Sequence, residues 1–219
     1  MLDSKTLRFL ADLKDNNTRE WFEENRKRYD AAKTDFKKLV DSLLEEAPEF
    51  DKELVGKENA AWIFRINRDI RFSKDKSPYK TNMGVAFSKD GKVSFAPCYY
   101  LHIQPGDKSF LAGGCWMPPG PQLKAIRQEI VYNTADFISI INDKTFKKYF
   151  KEIEGERLKT APKEYPKDHP LIEFLKHKSF VVTTPLTDEE ITSKNLKTKV
   201  KSVFKLIQPF NHFLSTAIS

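Results

Sequence analysis

Two cysteines, eight glycines and four histidines in 219 residues leave little for the chemistries that depend on those side chains. A chain of this length needs no disulfide staple, so Cys98 and Cys115 are expected as reduced, buried thiols. They show neither the paired Cys-x-x-Cys nor the His-x-x-x-His spacing of structural zinc, and no metal site is expected. Few glycines against 12 prolines leave no flexible linker and no collagen-like tract. Gly113-Gly114 is too short for a phosphate loop and reads as a place for close strand packing or a bulge. No apolar run approaches the length of a membrane span. Met1-Leu2-Asp3-Ser4-Lys5 lacks the basic-then-apolar order of a secretory signal, so a cytoplasmic protein is expected. There is no Walker loop, nucleophile elbow or Ser-His-Asp order, and no cofactor is expected.

What is abundant is bulk and positive charge. Seventeen Phe, seven Tyr and three Trp supply the large side chains of a core. Lys and Arg number 38 against 31 Asp and Glu, a net +7 with a pI near 9.2. The excess is local. Residues 1–60 carry 12 basic and 15 acidic side chains, whereas residues 61–130 carry 11 and 5. A field of one sign in one place decides ligand choice more than the total does. The acidic first part argues against a nucleic-acid coat over the whole surface.

Hydrophobic periodicity divides the chain. Ser4 reads as the cap of a helix carrying Leu7, Leu10 and Leu13, and Asn17 with Glu20 as a capping box for the next. Phe22, Tyr29, Phe36, Leu39, Val40 and Leu43 then recur at helical spacing as far as Pro48, predicting a helix from Thr18 to Ala47, about 45 Å long. From Trp62 to Phe72 the period becomes two, which predicts one extended strand. Further strands are expected at Met83–Ser88 and Val93–Ala96 about an Asp90-Gly91 turn, at Cys98–Gln104 and Ser109–Met117, and at Ser179–Thr184. A two-residue turn at Gly106-Asp107 would set Cys98 opposite Cys115, on the face that carries His102. Helices return after Pro118 (about Leu123–Ile130 and Phe137–Ile141, and after an Asp168 cap), and the last one carries Leu196 to Ile207 with Pro209 ending or kinking it. Strands in series without βαβ alternation predict an α+β fold: residues 1–219 as a single domain, a central mostly antiparallel sheet packed by a long N-terminal helix and C-terminal helices.

The densest chemistry lies between Arg65 and Lys80, where six cations meet only Asp69 and Asp75. On an extended strand Arg65, Asp69 and Arg71 share one face at steps of about 7 Å, and Asp69 could orient both guanidinium groups. Guanidinium presents a planar fork of donors suited to carboxylate and phosphate. Arg68 adds a third guanidinium, Ser73 a hydroxyl, and Lys74, Lys76 and Lys80 point charges, with Pro78 restricting the loop. His102, in the aromatic run Tyr99-Tyr100-Leu101-His102, and Tyr79 are the candidate proton-transfer groups.

The run Arg65-x-x-Arg68-Asp69-x-Arg71-Phe72-Ser73-Lys74-Asp75-Lys76-x-Pro78-Tyr79-Lys80 resembles the signature of the domain of unknown function 2461 family. Phe9-Leu10, Asn17, Arg19-Glu20-Trp21-Phe22, Tyr99 to Ile103, Ala161-Pro162 and His169-Pro170 carry the resemblance over nearly the whole chain. It implies a cytoplasmic single-domain protein and transfers no catalytic role, because none is settled for the family.

Three readings follow. The basic cluster holds a small phosphate- or carboxylate-bearing molecule, with or without catalysis. Alternatively, it joins Lys194, Lys197, Lys199, Lys201 and Lys205 in a nucleic-acid surface, or Arg65, Asp69 and Arg71 form an internal ion-pair network of a scaffold. The six-to-two imbalance of charge favours the bound anion.

Overall fold

The computed structural model describes residues 1–57, 60–89, 91 and 95–218. Helix α1 (Ser4–Asp15) is capped by the Asp3 carboxylate, which accepts from the Lys5 amide at 2.8 Å. Asp3, one residue earlier than expected, takes the role because its backbone is extended there while Ser4 is already helical. The single long helix is two: α2 (Arg19–Glu24) and α3 (Arg26–Glu45). Thr18, not Asn17, caps α2 by accepting from the Trp21 amide. Asn25 breaks the run, its side chain donating to the Trp21 carbonyl at 2.9 Å while its backbone leaves the helical region. A short polar side chain that competes for backbone groups does this where an apolar period alone predicts continuity.

Among the described residues five strands follow: β1 (Ala61–Ile63), β2 (Met83–Phe87), β3 (Cys98–Ile103), β4 (Ser109–Cys115) and β5 (Phe180–Leu186). They pair in sequence order, each antiparallel to the next. β2 therefore returns through β3. Asp90 and residues 92–94 of the expected Asp90-Gly91 hairpin lie outside the described residues, and Phe95 and Ala96 are not strand. Between β4 and β5 come α4 (Gly120–Tyr132), α5 (Thr134–Asn142), α6 (Lys144–Tyr149) and the single turn α7 (Ile172–Leu175), which begins after Leu171 and not at Asp168. The chain closes with α8 (Asp188–Thr192) and α9 (Leu196–Ile218), which runs through Pro209 without ending.

The β3–β4 turn is one residue longer than a tight pair. Pro105, Gly106 and Asp107 form it, with Gly106 and Asp107 both at positive φ (83° and 57°). Cys98 consequently faces Gly114, not Cys115. A slip of one residue exchanges faces, so Cys115 enters the core while Cys98 shares the other face with Tyr100 and His102. Both thiols are free.

Val85, Phe87, Tyr99, Leu101, Ile103, Leu111, Phe180 and Val182 project to one side of the sheet, against α9, and are fully buried or nearly so. Gly113 allows α9 to come close: a Cβ there would overlap the Ile207 side chain. Buried side chains of α1, α3, α4 and α9 join these in one apolar cluster, so both ends of the chain share a core. That arrangement is α+β, with N-terminal and C-terminal helices packed on an antiparallel sheet. It leaves the centre of the other sheet face free of helix, and there the site lies.

Candidate ligand-binding groove and the basic loop beside it

β1 stops at Ile63, so the expected strand Trp62–Phe72 does not form. An edge strand extends only as far as its partner, and β2 offers five residues. Phe64 donates once more to Gly84 at 2.9 Å, after which the chain pairs with itself. Arg68 donates to the Pro78 carbonyl (2.9 Å) and Lys80 to the Ile66 carbonyl (2.7 Å), closing a loop about an Asn67–Tyr79 bridge. Of the alternating apolar residues only Ile66 is buried, and Phe72 is 96% exposed.

That loop sorts the predicted cations into two groups. Arg68 is enclosed by its own loop, donating to Asp75, Ser77 and Ser73. Those contacts, with the Ser77 hydrogen bonds, hold the Asp75 carboxyl far below the usual carboxylate range. Asp69 receives both Nε and Nη2 of Arg71, at 3.0 and 2.7 Å, which lowers its pKa and raises that of Arg71. This fork is exposed, with Arg71 76% accessible, and does not tie helix to sheet. Lys76 turns back to the Ile70 carbonyl at 2.9 Å, and Lys74 is exposed. The three-way Arg65, Asp69, Arg71 face is thus replaced by local pairs.

The second group is Lys80 and Arg65. The Lys80 ammonium lies 5.6 Å from the Phe64 ring centroid and has no carboxylate partner among the described residues. Partial burial lowers its pKa, and the like charge of Arg65 lowers it further. The two cations lie near each other; Arg65 also feels the Asp69 carboxylate, and it is Lys80 that keeps no carboxylate partner among the described residues.

Phe64 is also one wall of a groove of about 670 Å³ across the open sheet face. Register brings side chains of all five strands into rows: Trp62, Ala86, Tyr100, Ala112 and Thr183 form one, and Gly84, His102, Phe110 and Pro185 another. Ala86, Ala112 and Gly114 make a low floor; Trp62, Phe64, Tyr100 and Phe110 rise around it, with Phe95 and Trp116 at the rim. A face turned to water ordinarily alternates to polar side chains. This one carries aromatic rings.

A hydrogen-bonded chain runs along the wall. His102 Nε2 lies 2.9 Å from Gln104 Oε1, and His102 Nδ1 lies 3.1 Å from the Tyr100 hydroxyl. With Nε2–H donated to Gln104, Nδ1 accepts from Tyr100. Burial pushes the Tyr100 hydroxyl up to about 12 and lowers the His102 pKa, so both stay neutral near pH 7. His102 also stacks on Phe110 at 4.6 Å. Tyr79 is elsewhere, buried against Phe22 at 3.9 Å and held through its backbone by Asn17. The sequence reading missed the groove. Its signal was the small residues (Gly84, Ala86, Ala112, Gly114) set at period two among aromatic ones.

The C-terminal lysines are largely paired: Lys197 and Lys201 with Glu46, Lys201 also with Glu49, and Lys199 with Glu190. They fasten α9 to the end of α3 and to α8, and do not form a free basic stripe.

Fold and site define an α+β protein with an aromatic groove beside a basic loop. The family model described as conserved hypothetical protein (DUF2461) matches residues 5–213, and the chain belongs to that family. No curated protein matches it, and no solved structure does. None of its helices is long and apolar enough to cross a membrane, among the described residues.

Proposed function

We propose that this protein binds a small molecule bearing a phosphate or carboxylate, with the anion received by Lys80 and Arg65. The observation that carries this reading is the Lys80 ammonium, half-buried at the Phe64 wall beside a second cation and without a carboxylate partner among the described residues. Removing such a cation partly from water is unfavourable unless an opposite charge returns. Arg68, Asp69, Arg71, Ser73, Lys74 and Lys76 then act mainly as the frame and outer field of the loop. The nucleic-acid reading has less support, because three of its lysines are neutralised internally. The scaffold reading needs Arg65 and Asp69 buried and paired with each other, whereas both are exposed and Asp69 receives Arg71.

Thermal unfolding with inorganic phosphate, pyrophosphate and sugar phosphates tests the proposal. A bound anion at one hundred times its Kd stabilises by about 2.7 kcal/mol, or roughly 5–10 °C for a domain of this size. The wild type and Arg71→Ala should show the shift, and Lys80→Met should lose most of it. No shift with any anion, or an equal shift in Lys80→Met, would overturn the assignment.

A further inference from the structure

The geometry points to the class of molecule whose acid Lys80 receives: we propose that the open sheet face binds a planar aromatic body, laid on the Ala86–Ala112 floor with its acidic group toward Lys80. This deepens the preceding reading and rests on it for the acidic end alone. Several independent observations carry the aromatic end.

The first is shape. Small floor residues between tall aromatic ones leave a space of about 670 Å³, within the range of small-molecule sites. Flat rings stack on flat walls at little cost in conformational entropy, and Trp62 on β1, Phe64 just past its end and Tyr100 on β3 present such walls. Second, of the five exposed aromatic rings among the described residues three meet in this groove, with Phe72 and Tyr132 lying elsewhere. Phe64, Phe95 and Trp116 are 40%, 54% and 66% accessible, and all three line the one groove. A contiguous apolar patch of this kind marks a recognition surface.

Third, the rim is held in place. Met117 adopts φ 48°, an unfavourable conformation for its side chain, while its amide donates to Ser179 Oγ at 2.9 Å. The Cys115 thiol donates to the Phe95 carbonyl at 3.0 Å. These contacts fix the backbone on either side of the exposed Trp116 and Phe95 rings. Fourth, the groove has polarity. Lys80 sits against the Phe64 wall without itself lining the groove, with Arg65 in electrostatic reach of it, and Glu154, hydrogen-bonded to Thr183, lines the groove on the β5 side. An acidic occupant is drawn to the first and repelled by the second, which sets its direction. The Tyr100 oxygen, whose proton goes to His102, offers an acceptor between them.

A pair of probes that differ by one charge tests this: 8-anilinonaphthalene-1-sulfonate and the neutral N-phenyl-1-naphthylamine, each titrated by fluorescence into the full chain. Energy transfer from tryptophan adds a local readout, since Trp62 and Trp116 line the groove while Trp21 stacks on Phe9. The sulfonate should saturate at one per chain and bind at least tenfold tighter than the neutral probe. Trp116→Ala, a change at an exposed side chain, should weaken both probes about tenfold, and Lys80→Met only the sulfonate. Unsaturable sulfonate binding, or binding indifferent to Trp116→Ala, overturns the groove assignment even if pyrophosphate still stabilises the protein. Equal binding of both probes, lost in Trp116→Ala and without any pyrophosphate effect, overturns the anion reading and leaves the aromatic site standing. A dimer in sedimentation that Trp116→Ala dissociates would overturn the small-molecule occupant in favour of a second copy of the chain.

Discussion

Gly84 shows how one missing side chain shapes the site. It lies on β2 opposite His102, and the Tyr100 hydroxyl occupies the place that a Cβ would take. Gly84→Ala should therefore push the phenol off the wall and break its bond to His102, destabilising by about 1–3 kcal/mol. A lower urea midpoint with an unchanged m-value, together with weaker binding of the naphthalene sulfonate, would register both effects. The same scale explains why half of the predicted site was legible. Six cations against two anions could be counted from the sequence, but which guanidinium groups Asp69 and Asp75 would take could not. Asp75 takes Arg68 because the loop folds back between Ile66 and Lys80, bringing residues seven apart into contact.

Among the elements, the loop from Arg65 to Lys80 depends on a contact far away in the chain. The Asn17 amide donates to the Tyr79 carbonyl at 3.0 Å and accepts from the Tyr79 amide at 3.1 Å, pairing like a strand residue. The Tyr79 ring meanwhile stacks on Phe22 of α2. Spacing alone assigned Asn17 to a helix cap, since a cap and a backbone clamp use the same short amide. Asn17→Ala leaves two partly buried backbone groups without partners, and a loss of about 1–3 kcal/mol is expected. Hydrogen exchange should quicken at Arg68 and Lys80, whose amides close the loop, while β3 and β4 stay protected. Uniform loss of protection would instead mean that the clamp supports the whole fold.

At the scale of the molecule, stability should carry a distinct acid limb. His177 is 2% accessible, beside Phe180, with no partner for Nδ1 among the described residues. Burial, reinforced by the charge of Arg157, lowers its pKa from an ordinary 6.5 to about 4. The unfolded chain then binds a proton that the folded chain resists. This contribution is complete above pH 6.5 and is lost as pH falls toward 4. Between pH 7.5 and 5.0 the wild type should lose about 2 kcal/mol from this group, and His177→Phe should remove that slope in denaturant titrations. An unchanged slope in the variant would assign it to other groups. The sequence by itself determined the α+β class, the helical and extended stretches and the local excess of positive charge, because periodicity and composition act along the chain. Tertiary structure decided where β1 ends, which of the Arg65–Lys80 cations keep no internal partner, and that an aromatic groove exists at all. The reason is register: Trp62, Ala86, Tyr100, Ala112 and Thr183 span more than a hundred residues and become one surface only when five strands pair. One added residue in the turn at Gly106 decides which side of that surface each of them joins.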